Sequence, residues 1–281
     1  MEKMIEKANI LIEALPYIRK FYGETFVIKY GGAAMKDARL KESVAQDIVL
    51  MKYVGMNPIV VHGGGPDITK MLERLNIKTN FVDGLRVTDE KTMEIVEMVL
   101  VGKVNTDIVN LINKHGGKAV GLSGKDGDLI MAKKYLPGGK NIGFVGEVDK
   151  INAKVIDTLE KEFIPVIAPV GVDKNGVVHN INADEVASSI AVTLEASKLV
   201  ILTDVRGVLD KHGKLISTIK ISEMQKVIKK NKIGKGMIPK LKGCLDAVKY
   251  GVNKVHIIDG RICHALLLEI FTDKGIGTQI Y

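Results

Sequence analysis

The chain has 281 residues, of which 46% are hydrophobic and 26% charged, a composition typical of a globular protein with one large domain or two modest ones. No apolar run approaches the roughly 18 residues needed to cross a bilayer, which argues against a membrane protein. The net charge is +8, but only six of the 41 basic residues are arginine and aromatics make up 5%, so we expect a solvated lysine-rich surface and no nucleic-acid interface.

The N-terminus and the cysteines indicate a cellular compartment. Acidic residues among the N-terminal lysines argue against a secretory signal or a transit peptide. Cys244 and Cys263 are too few for a disulfide framework or a zinc site of their own. We therefore expect a protein of the reducing cytoplasm.

The first 22 residues predict an amphipathic helix. Their apolar residues recur at helical spacing before the first strand-like run. The helix either covers the chain's own core or forms an arm that packs on another subunit, and periodicity leaves both alternatives open. The stripe consists of Met4, Ile5, Ala8, Leu11, Ile12 and Leu15.

Short β-branched runs then alternate with helical patterns. Most of these runs lack polar–apolar alternation, which favours a sheet covered on both faces by helices, an α/β fold. Leu40, Val44, Ile48 and Met51 form one face of a predicted helix. The strand-like runs are "FVIKYGG", "PIVVHGGGP", "AVGLSG", "IPVIAPVG", "LVILTDVRG" and "KVHIIDG".

Local signals predict several boundaries. Thr88 is expected to cap one helix, and "SEMQ" at 222–225 resembles a capping box ahead of another. Residues 131–149 read as a hairpin that projects from the edge of the sheet. A hinge between two lobes is expected near residue 196.

Three glycine-rich turns follow strand-like runs: Gly31-Gly32, Gly63-Gly64-Gly65 and "GLSGKDG" at 121–127. Pro66 can open a helix directly after the second turn. Backbone N–H groups freed by glycines at a helix N-terminus favour anions, so we expect an anion site. Neither a P-loop nor a G-x-G-x-x-G motif is present.

Lys29 lies inside the first predicted strand, where burial of an ammonium group is costly without a partner. Either an anion pairs with it or it extends to the surface at the strand end. Further along, Asn180, Asn182 and Asp184 precede a helix, more polar groups than one cap requires. Lys240 lies near the start of a later helix, where the residues in isolation favour an ordinary surface lysine.

Taken in order, these motifs resemble the amino acid kinase family, and within it the arginine-sensitive branch that acts on N-acetyl-L-glutamate. The resemblance runs from residue 23 to the end. It rests on "KYGGAAM", "VVHGGGPDI", "DGLRVT", "NINADEVA", "LTDVRGVLD", "GKGMIPKL" and "HALLLEIFTDKGIGT".

The resemblance implies roles for particular residues. Lys29 and Lys240 would stabilise the transferring phosphoryl group, and Asp184 would orient both lysines. Arg86 would bind the α-carboxylate of the substrate. Backbone donors would come from Gly31, Gly32, Gly63, Gly64 and Gly65, contacts to the acetylated amine from Asn180, the nucleotide pocket from Thr203, Asp204, Gly207, Leu209, Gly236 and Met237, and an allosteric arginine site from His264, Glu269, Gly275 and Gly277.

The resemblance also implies an αβα sandwich around a mainly parallel sheet in two lobes. Residues 1–22 would be an oligomerisation arm, 23–195 the acetylglutamate-binding and dimerising lobe, and 196–281 the ATP and arginine lobe. The expected partners are ATP, N-acetyl-L-glutamate, arginine as inhibitor and further copies of the chain, as a dimer or a hexamer. Mg²⁺ would enter as MgATP, without protein ligands of its own.

Three other interpretations remain at this stage. A sister enzyme would phosphorylate carbamate, aspartate, glutamate or UMP, although "GLRVT" and "NINADEVA" favour acetylglutamate. A catalytically silent arginine sensor would keep the fold, but it would have no use for both lysines. A nucleic-acid-binding protein is disfavoured because no arginine-rich or aromatic face is present.

Overall fold

A computed structural model describes residues 1–230 and 237–281. The helices are α1 (Glu2–Phe21), α2 (Ala38–Tyr53), α3 (Gly65–Arg74), α4 (Glu90–Glu97), a π-helix (Met98–Asn105), α5 (Thr106–Lys114), α6 (Ala153–Leu159), α7 (Ala183–Thr193), α8 (Met224–Lys230), α9 (Met237–Lys249) and α10 (Ala265–Ile270). The strands are β1 (Thr25–Tyr30), β2 (Asn57–His62), β3 (Phe81–Val82), β4 (Leu85–Arg86), β5 (Ala119–Ser123), β6 (Ile130–Lys134), β7 (Val145–Ile151), β8 (Ile164–Ala168), β9 (Val170–Val172), β10 (Val178–Ile181), β11 (Lys198–Thr203), β12 (Thr218–Ile219), β13 (Lys254–Asp259) and β14 (Thr278–Ile280).

One eight-stranded sheet runs through the molecule in the order β12-β14-β13-β11-β1-β2-β8-β5. Its neighbouring strands are parallel except for the antiparallel pair β13–β14. The predicted α/β fold with a mainly parallel sheet is therefore confirmed. Within this sheet, the strands that follow residue 196 lie on one side of β1: β11, β12, β13 and β14. The strands on the other side, β2, β5 and β8, all precede residue 196.

Successive residues of the central strands point to opposite faces, and each face carries its own hydrophobic core. Phe26 and Ile28 of β1 belong to the first core, which α2, α3, α5 and α10 cover. Val27 belongs to the second core, which α6, α7 and α9 cover. Burial on both faces explains why the strands are apolar throughout instead of alternating with polar residues.

A small second sheet replaces the predicted edge hairpin. β6 and β7 do form an antiparallel pair within residues 130–151, as expected for a hairpin. They pair further with β9 and β10 to close a four-stranded barrel. The prediction that the hairpin projects from the main sheet is therefore wrong, because these strands complete their hydrogen bonds with one another.

Several helices begin where the sequence indicates. The periodic face at 40–51 lies on α2, and Pro66 stands in the first turn of α3. Asn182 caps α7 by accepting a hydrogen bond from the Asp184 N–H at 2.8 Å.

One predicted cap is wrong. The cap of α4 is Asp89, whose side chain accepts the Thr92 N–H at 2.8 Å. The Thr88 hydroxyl is buried and donates instead to the Arg86 carbonyl at 2.8 Å. The capping box predicted at 222–225 stays a prediction, and Ser222 lies in a 3₁₀ turn, Ile221–Glu223, directly ahead of α8.

The apolar stripe of α1 is exposed in the single chain. Its large side chains have exposed fractions between 46% and 72%. The helix is fastened at its C-terminal end, where the Tyr17 hydroxyl donates to Asp273 at 2.6 Å and Phe21 is buried. The alternative in which the stripe covers the chain's own core is therefore excluded.

No helix in the described ranges combines the length and the apolar character that are needed to cross a bilayer.

Replacing Asp89 with alanine tests the position of the α4 cap. The change removes an acceptor from a helix N-terminus, so it should lower the free energy of unfolding by about 1 kcal/mol. Glu90→Ala, in the same first turn, is the control and should cost no more than a few tenths of a kcal/mol. Denaturant unfolding measures both changes, and equal losses would contradict the assignment.

Candidate active site

The three charged residues singled out in the sequence lie on one face of the sheet. Lys29 is two positions after Val27, so its side chain points to the second core, between Val61 of β2 and Ile201 of β11. The helices α7 and α9 that cover this face carry Asp184 and Lys240, each near its N-terminal end. Strand parity and helix position together bring these residues to one point.

Asp184 forms ion pairs with both lysines. Its Oδ1 lies 3.0 Å from the Lys29 Nζ, and its Oδ2 lies 2.5 Å from the Lys240 Nζ. Burial works to raise the pKa of the Asp184 carboxyl, but the two ammonium groups outweigh it and hold the pKa below its usual value. The cluster therefore contains two positive charges and one negative charge at neutral pH.

The ammonium group of Lys29 folds back over the first glycine turn. A Cβ atom on Gly31 would lie 2.6 Å from the Lys29 Nζ, so a side chain there would displace the ammonium group from this position. The second turn adjoins the first, since the Gly63 N–H donates to the Tyr30 carbonyl at 2.8 Å. The two turns and the lysine thus share one region at the carboxyl ends of β1 and β2.

Backbone donors are available where the second turn enters α3. The helix begins at Gly65 with Gly64 as its N-cap. The first N–H groups of an α-helix have no intrahelical partner and favour anions. A Cβ atom on Gly65 would meet no atom within 4 Å, so the space beside it is open to a ligand.

Arg86 is a buried cation held entirely by neutral groups. Its guanidinium donates to Thr79 Oγ1 at 2.6 Å, to Thr69 Oγ1 at 2.7 Å and to the Gly65 carbonyl at 3.0 Å, and it lies 4.8 Å from the Phe81 ring centroid. Burial lowers its pKa, with no carboxylate of the described chain acting on it. A buried guanidinium without a counterion suits an anionic ligand.

Asn180 lies near this cation through Thr88. Its Nδ2 donates to the Thr88 hydroxyl at 3.3 Å, and that hydroxyl in turn donates to the Arg86 carbonyl. The amide of Asn180 is only partly buried. The structure therefore connects Asn180 with the backbone of Arg86 through the Thr88 hydroxyl.

The predicted nucleotide segment begins beside the first glycine turn. A Cβ atom on Gly32 would lie 3.6 Å from the Asp204 nitrogen and 3.8 Å from the Thr203 Cα. Gly207 has φ of +135°, and a side chain there would meet Thr278. Leu209 is exposed, Met237 opens α9, and Gly236 lies outside the described residues.

The third glycine-rich loop uses several of its N–H groups within the fold. Its N–H groups already have partners within the fold: the Ser123 N–H donates to Asp126 at 2.6 Å, and the Gly124 N–H donates to the Val170 carbonyl at 2.7 Å. The anion site expected from the sequence therefore rests on the first two glycine turns.

Three of the four predicted arginine-site residues lie together. Glu269 is buried and accepts the Gly277 N–H at 3.0 Å, and a Cβ atom on Gly275 would lie 2.6 Å from its Oε2. His256 Nδ1 lies 2.5 Å from Glu269 Oε1. Lys198 is buried near this carboxylate, and burial lowers the pKa of Lys198 to about 8.

His264 lies at the opposite end of α10 from Glu269. Its Nδ1 lies 2.6 Å from Oδ1 of Asp47, a fully buried carboxyl whose pKa burial raises to about 6. The pair joins α10 to α2. The four predicted residues therefore belong to two clusters at the two ends of one short helix.

Sequence reasoning missed five buried polar residues around these clusters: His62, Asn105, Asp47, Lys198 and His256. His62 directly precedes the second glycine turn, a signal that was available. The other four lie within apolar or helical runs and become informative only through contacts that are distant in sequence.

A family model described as the amino acid kinase family matches residues 24–259. The chain belongs to the amino acid kinase family. The family predicted from the seven sequence motifs is thereby confirmed.

Relatives within the family are similar over their whole length. A protein of Caldicellulosiruptor bescii named acetylglutamate kinase is 58% identical, with 100% of this chain and 98% of the relative covered. A protein of Carboxydothermus hydrogenoformans with the same name is 57% identical, with 100% and 99% covered.

Solved structures of the amino acid kinase fold agree. The N-acetylglutamate synthase of Neisseria gonorrhoeae, in complex with coenzyme A and N-acetyl-glutamate, superposes with a TM-score of 0.87 at 26% identity. The alignment covers 97% of this chain but 63% of that longer one. The carbamate kinase of Giardia, at 18% identity and a TM-score of 0.68, shares the fold.

Replacing Asp184 with asparagine tests the ionic cluster. The change leaves two ammonium groups close together without their carboxylate, so the free energy of unfolding should fall by about 2 kcal/mol. In the unchanged chain this stabilisation is present at neutral pH and is lost as the pH falls through the depressed pKa of Asp184, below the usual carboxyl value.

Asp107→Asn is the matched control, since Asp107 forms an exposed pair with Lys103 at 2.7 Å. Its loss should cost less than about 0.5 kcal/mol. Denaturant unfolding at neutral pH compares the two variants. Equal costs would contradict a coupled cluster at Asp184.

Proposed function

We propose that the chain transfers the γ-phosphoryl group of ATP to the γ-carboxylate of N-acetyl-L-glutamate, forming N-acetyl-L-glutamyl 5-phosphate for arginine biosynthesis in the cytoplasm. The observation that carries the proposal is the contact of Lys29 and Lys240 with one half-buried carboxylate beside two glycine turns. The names of the full-length relatives supply the acceptor.

The chemistry explains why cations and not a base surround the reacting groups. A γ-carboxylate has an unperturbed pKa of about 4.3 and is ionised at neutral pH, so no proton has to be removed. The barrier comes from bringing an anionic nucleophile to an anionic phosphate. Positioning and electrostatic stabilisation supply most of the catalysis in such transfers.

Each lysine would then contact the transferring phosphoryl group from its own side. Lys29 approaches from β1 and Lys240 from α9, and Asp184 keeps the two ammonium groups from separating. N–H groups of Gly31, Gly32, Gly64 and Gly65 would donate to the phosphoryl oxygens and to the reacting carboxylate. The Gly63 N–H, also expected from the sequence to be a donor, is taken by the Tyr30 carbonyl. These donors are fixed before the reaction and require no reorganisation during it.

The acceptor would lie between the second turn and Arg86. The guanidinium already contacts the Gly65 carbonyl, so a carboxylate bound to it is held beside α3. Asn180 would bind the acetylated amine through its amide. Arg86 would thereby select a substrate with a free α-carboxylate, which carbamate lacks.

ATP would bind in a pocket that is lined by the segment from Thr203 to Leu209 and by Gly236 and Met237. Mg²⁺ prefers phosphate oxygens and water, so the ion would enter with ATP and neutralise part of its charge. Across residues 1–230 and 237–281, no group of three or more His, Cys, Asp or Glu side chains is arranged to hold a metal ion. Because all of these nucleotide residues follow residue 196, the second lobe would be the nucleotide lobe.

Arginine inhibition and assembly complete the proposal. Arginine would bind at the Glu269 cluster and beside His264, near the point where Tyr17 fastens α1 to the tail through Asp273. The exposed stripe of α1 would pack on a second copy of the chain and join dimers into a hexamer. An inhibitor at that junction would then act on both the arm and the nucleotide lobe.

The acceptor assignment is tested by ADP release from MgATP. N-acetyl-L-glutamate should support turnover, whereas glutamate, aspartate, carbamate and UMP should not. Turnover only with another acceptor would assign the chain to a sister activity. No turnover combined with arginine binding would favour the sensor.

Lys29→Met and Lys240→Met should each lower kcat with N-acetyl-L-glutamate by about 100-fold or more, because each removes a charge from the transition state. Lys103→Met removes an exposed lysine and should leave kcat unchanged. A loss of activity that merely follows the fraction of unfolded protein would argue against the assigned roles.

Removing residues 1–15 tests the role of the arm while keeping Tyr17 and Phe21. The particle mass, measured by light scattering, should fall from that of a hexamer to that of a dimer. Leu11→Glu, on the exposed stripe, should act in the same way. Ile10→Glu, outside the stripe on the same helix, should retain the larger mass, and an unchanged mass in all variants would exclude the arm.

A further inference from the structure

We infer that His62 and Asn105 are positioning residues that aim the Gly64 N–H at the reacting groups. The inference rests on the proposed phosphoryl transfer. It starts from a series of side-chain hydrogen bonds that runs from β8, through Asn105 at the end of the π-helix, to the second glycine turn.

Asn105 begins the chain of contacts. Its Nδ2 lies 2.8 Å from the Val166 carbonyl and 3.1 Å from His62 Nε2. A carbonyl oxygen only accepts, so the amino group of Asn105 faces Val166, and the second amide hydrogen points to the histidine, which lies nearer than the Leu122 carbonyl at 3.4 Å. A Cβ atom on Gly121 would lie 2.0 Å from Asn105 Oδ1, so the glycine leaves the amide its place.

The tautomer of His62 follows from this donor. Because Asn105 donates to Nε2, that nitrogen carries no proton and Nδ1 carries it. Nδ1 lies 2.8 Å from the Gly63 carbonyl, which again only accepts. His62 is fully buried, and burial lowers its pKa to about 4, so the ring stays neutral at physiological pH.

The peptide bond between Gly63 and Gly64 transmits the effect. In a planar trans peptide the carbonyl and the next N–H point in opposite directions. By holding the Gly63 carbonyl, His62 turns the Gly64 N–H away from the first core and toward the side of the glycine turns. The Gly63 N–H is fixed as well, since it donates to the Tyr30 carbonyl.

The π-helix holds the same turn at a second point. A Cβ atom on Gly64 would lie 2.4 Å from Cδ2 of Leu100, which belongs to the π-helix together with Asn105. π-helical segments are rare and occur frequently at functional sites. The parity of β2 agrees, since His62 follows Val60 onto the first-core face, where this helix packs.

The tautomer is tested first, without reference to activity. Long-range ¹H–¹⁵N spectra of histidine-labelled protein should show one ring, absent in His62→Leu, with Nδ1 protonated and Nε2 unprotonated at about pH 7. In Asn105→Leu the fixed preference should be lost. A ring protonated at Nε2 in the unchanged chain would overturn the inference.

Kinetics test the effect on the turn. His62→Leu removes the donor to Gly63 and should lower kcat about 10- to 100-fold, with KM for both substrates changed less than about threefold. His62→Asn places an amide nitrogen at the position of Nδ1, so it should recover most of the lost kcat. Asn105→Leu should fall between the two.

Val60→Ala is the matched control for stability, since it weakens the same strand without touching Gly63. Equal kcat for Val60→Ala and His62→Leu variants of similar Tm, or no recovery in His62→Asn, would overturn the positioning role. If the unchanged chain turns over no acceptor, the proposed function fails. In that case the ring spectrum still decides whether Asn105 sets the tautomer.

Discussion

The two ion contacts of Asp184 impose a requirement on much of the chain, because residues from a strand and from two helices must end at one point. Lys29 reaches that point by the parity of β1, which turns its side chain toward α7 and α9. The parallel order of the sheet places the glycine turns after β1 and β2 at the same edge. The ammonium group of Lys29 lies in the space that a side chain at Gly31 would enter.

Charge explains how this arrangement serves phosphoryl transfer. The cluster carries a net positive charge, Arg86 is a second buried cation without a carboxylate partner in the described chain, and the turns expose N–H groups at a helix N-terminus. Burial makes each of these groups costly alone, and an anionic ligand removes that cost. These charges therefore support the proposal that the site binds two anions.

Much of this arrangement was predictable from local patterns. Helical periodicity indicated α1 and α2, Asn182 capped its helix as its type suggests, and the unusual lysine of β1 pointed to an anion. Failures occurred where distant contacts override local signals. Thr88 has the side chain of a cap, but its hydroxyl donates to the Arg86 carbonyl. In the third glycine-rich loop, the N–H groups of Ser123 and Gly124 donate to neighbouring groups of the fold. Nothing in the sequence around Asn105 predicts a π-helix or a partner 43 positions away.

The convergence of Lys29 and Lys240 on one migrating phosphoryl group is the central claim, and a crystal structure with MgADP, tetrafluoroaluminate and N-acetyl-L-glutamate tests it most directly. The account predicts that the Nζ atoms of Lys29 and Lys240 each lie within about 3 Å of a fluorine atom of the planar tetrafluoroaluminate, on opposite sides of it. Asp184 should still lie between the two ammonium groups. A complex in which either ammonium group points away from the fluoride, while nucleotide and acceptor are bound, would contradict it.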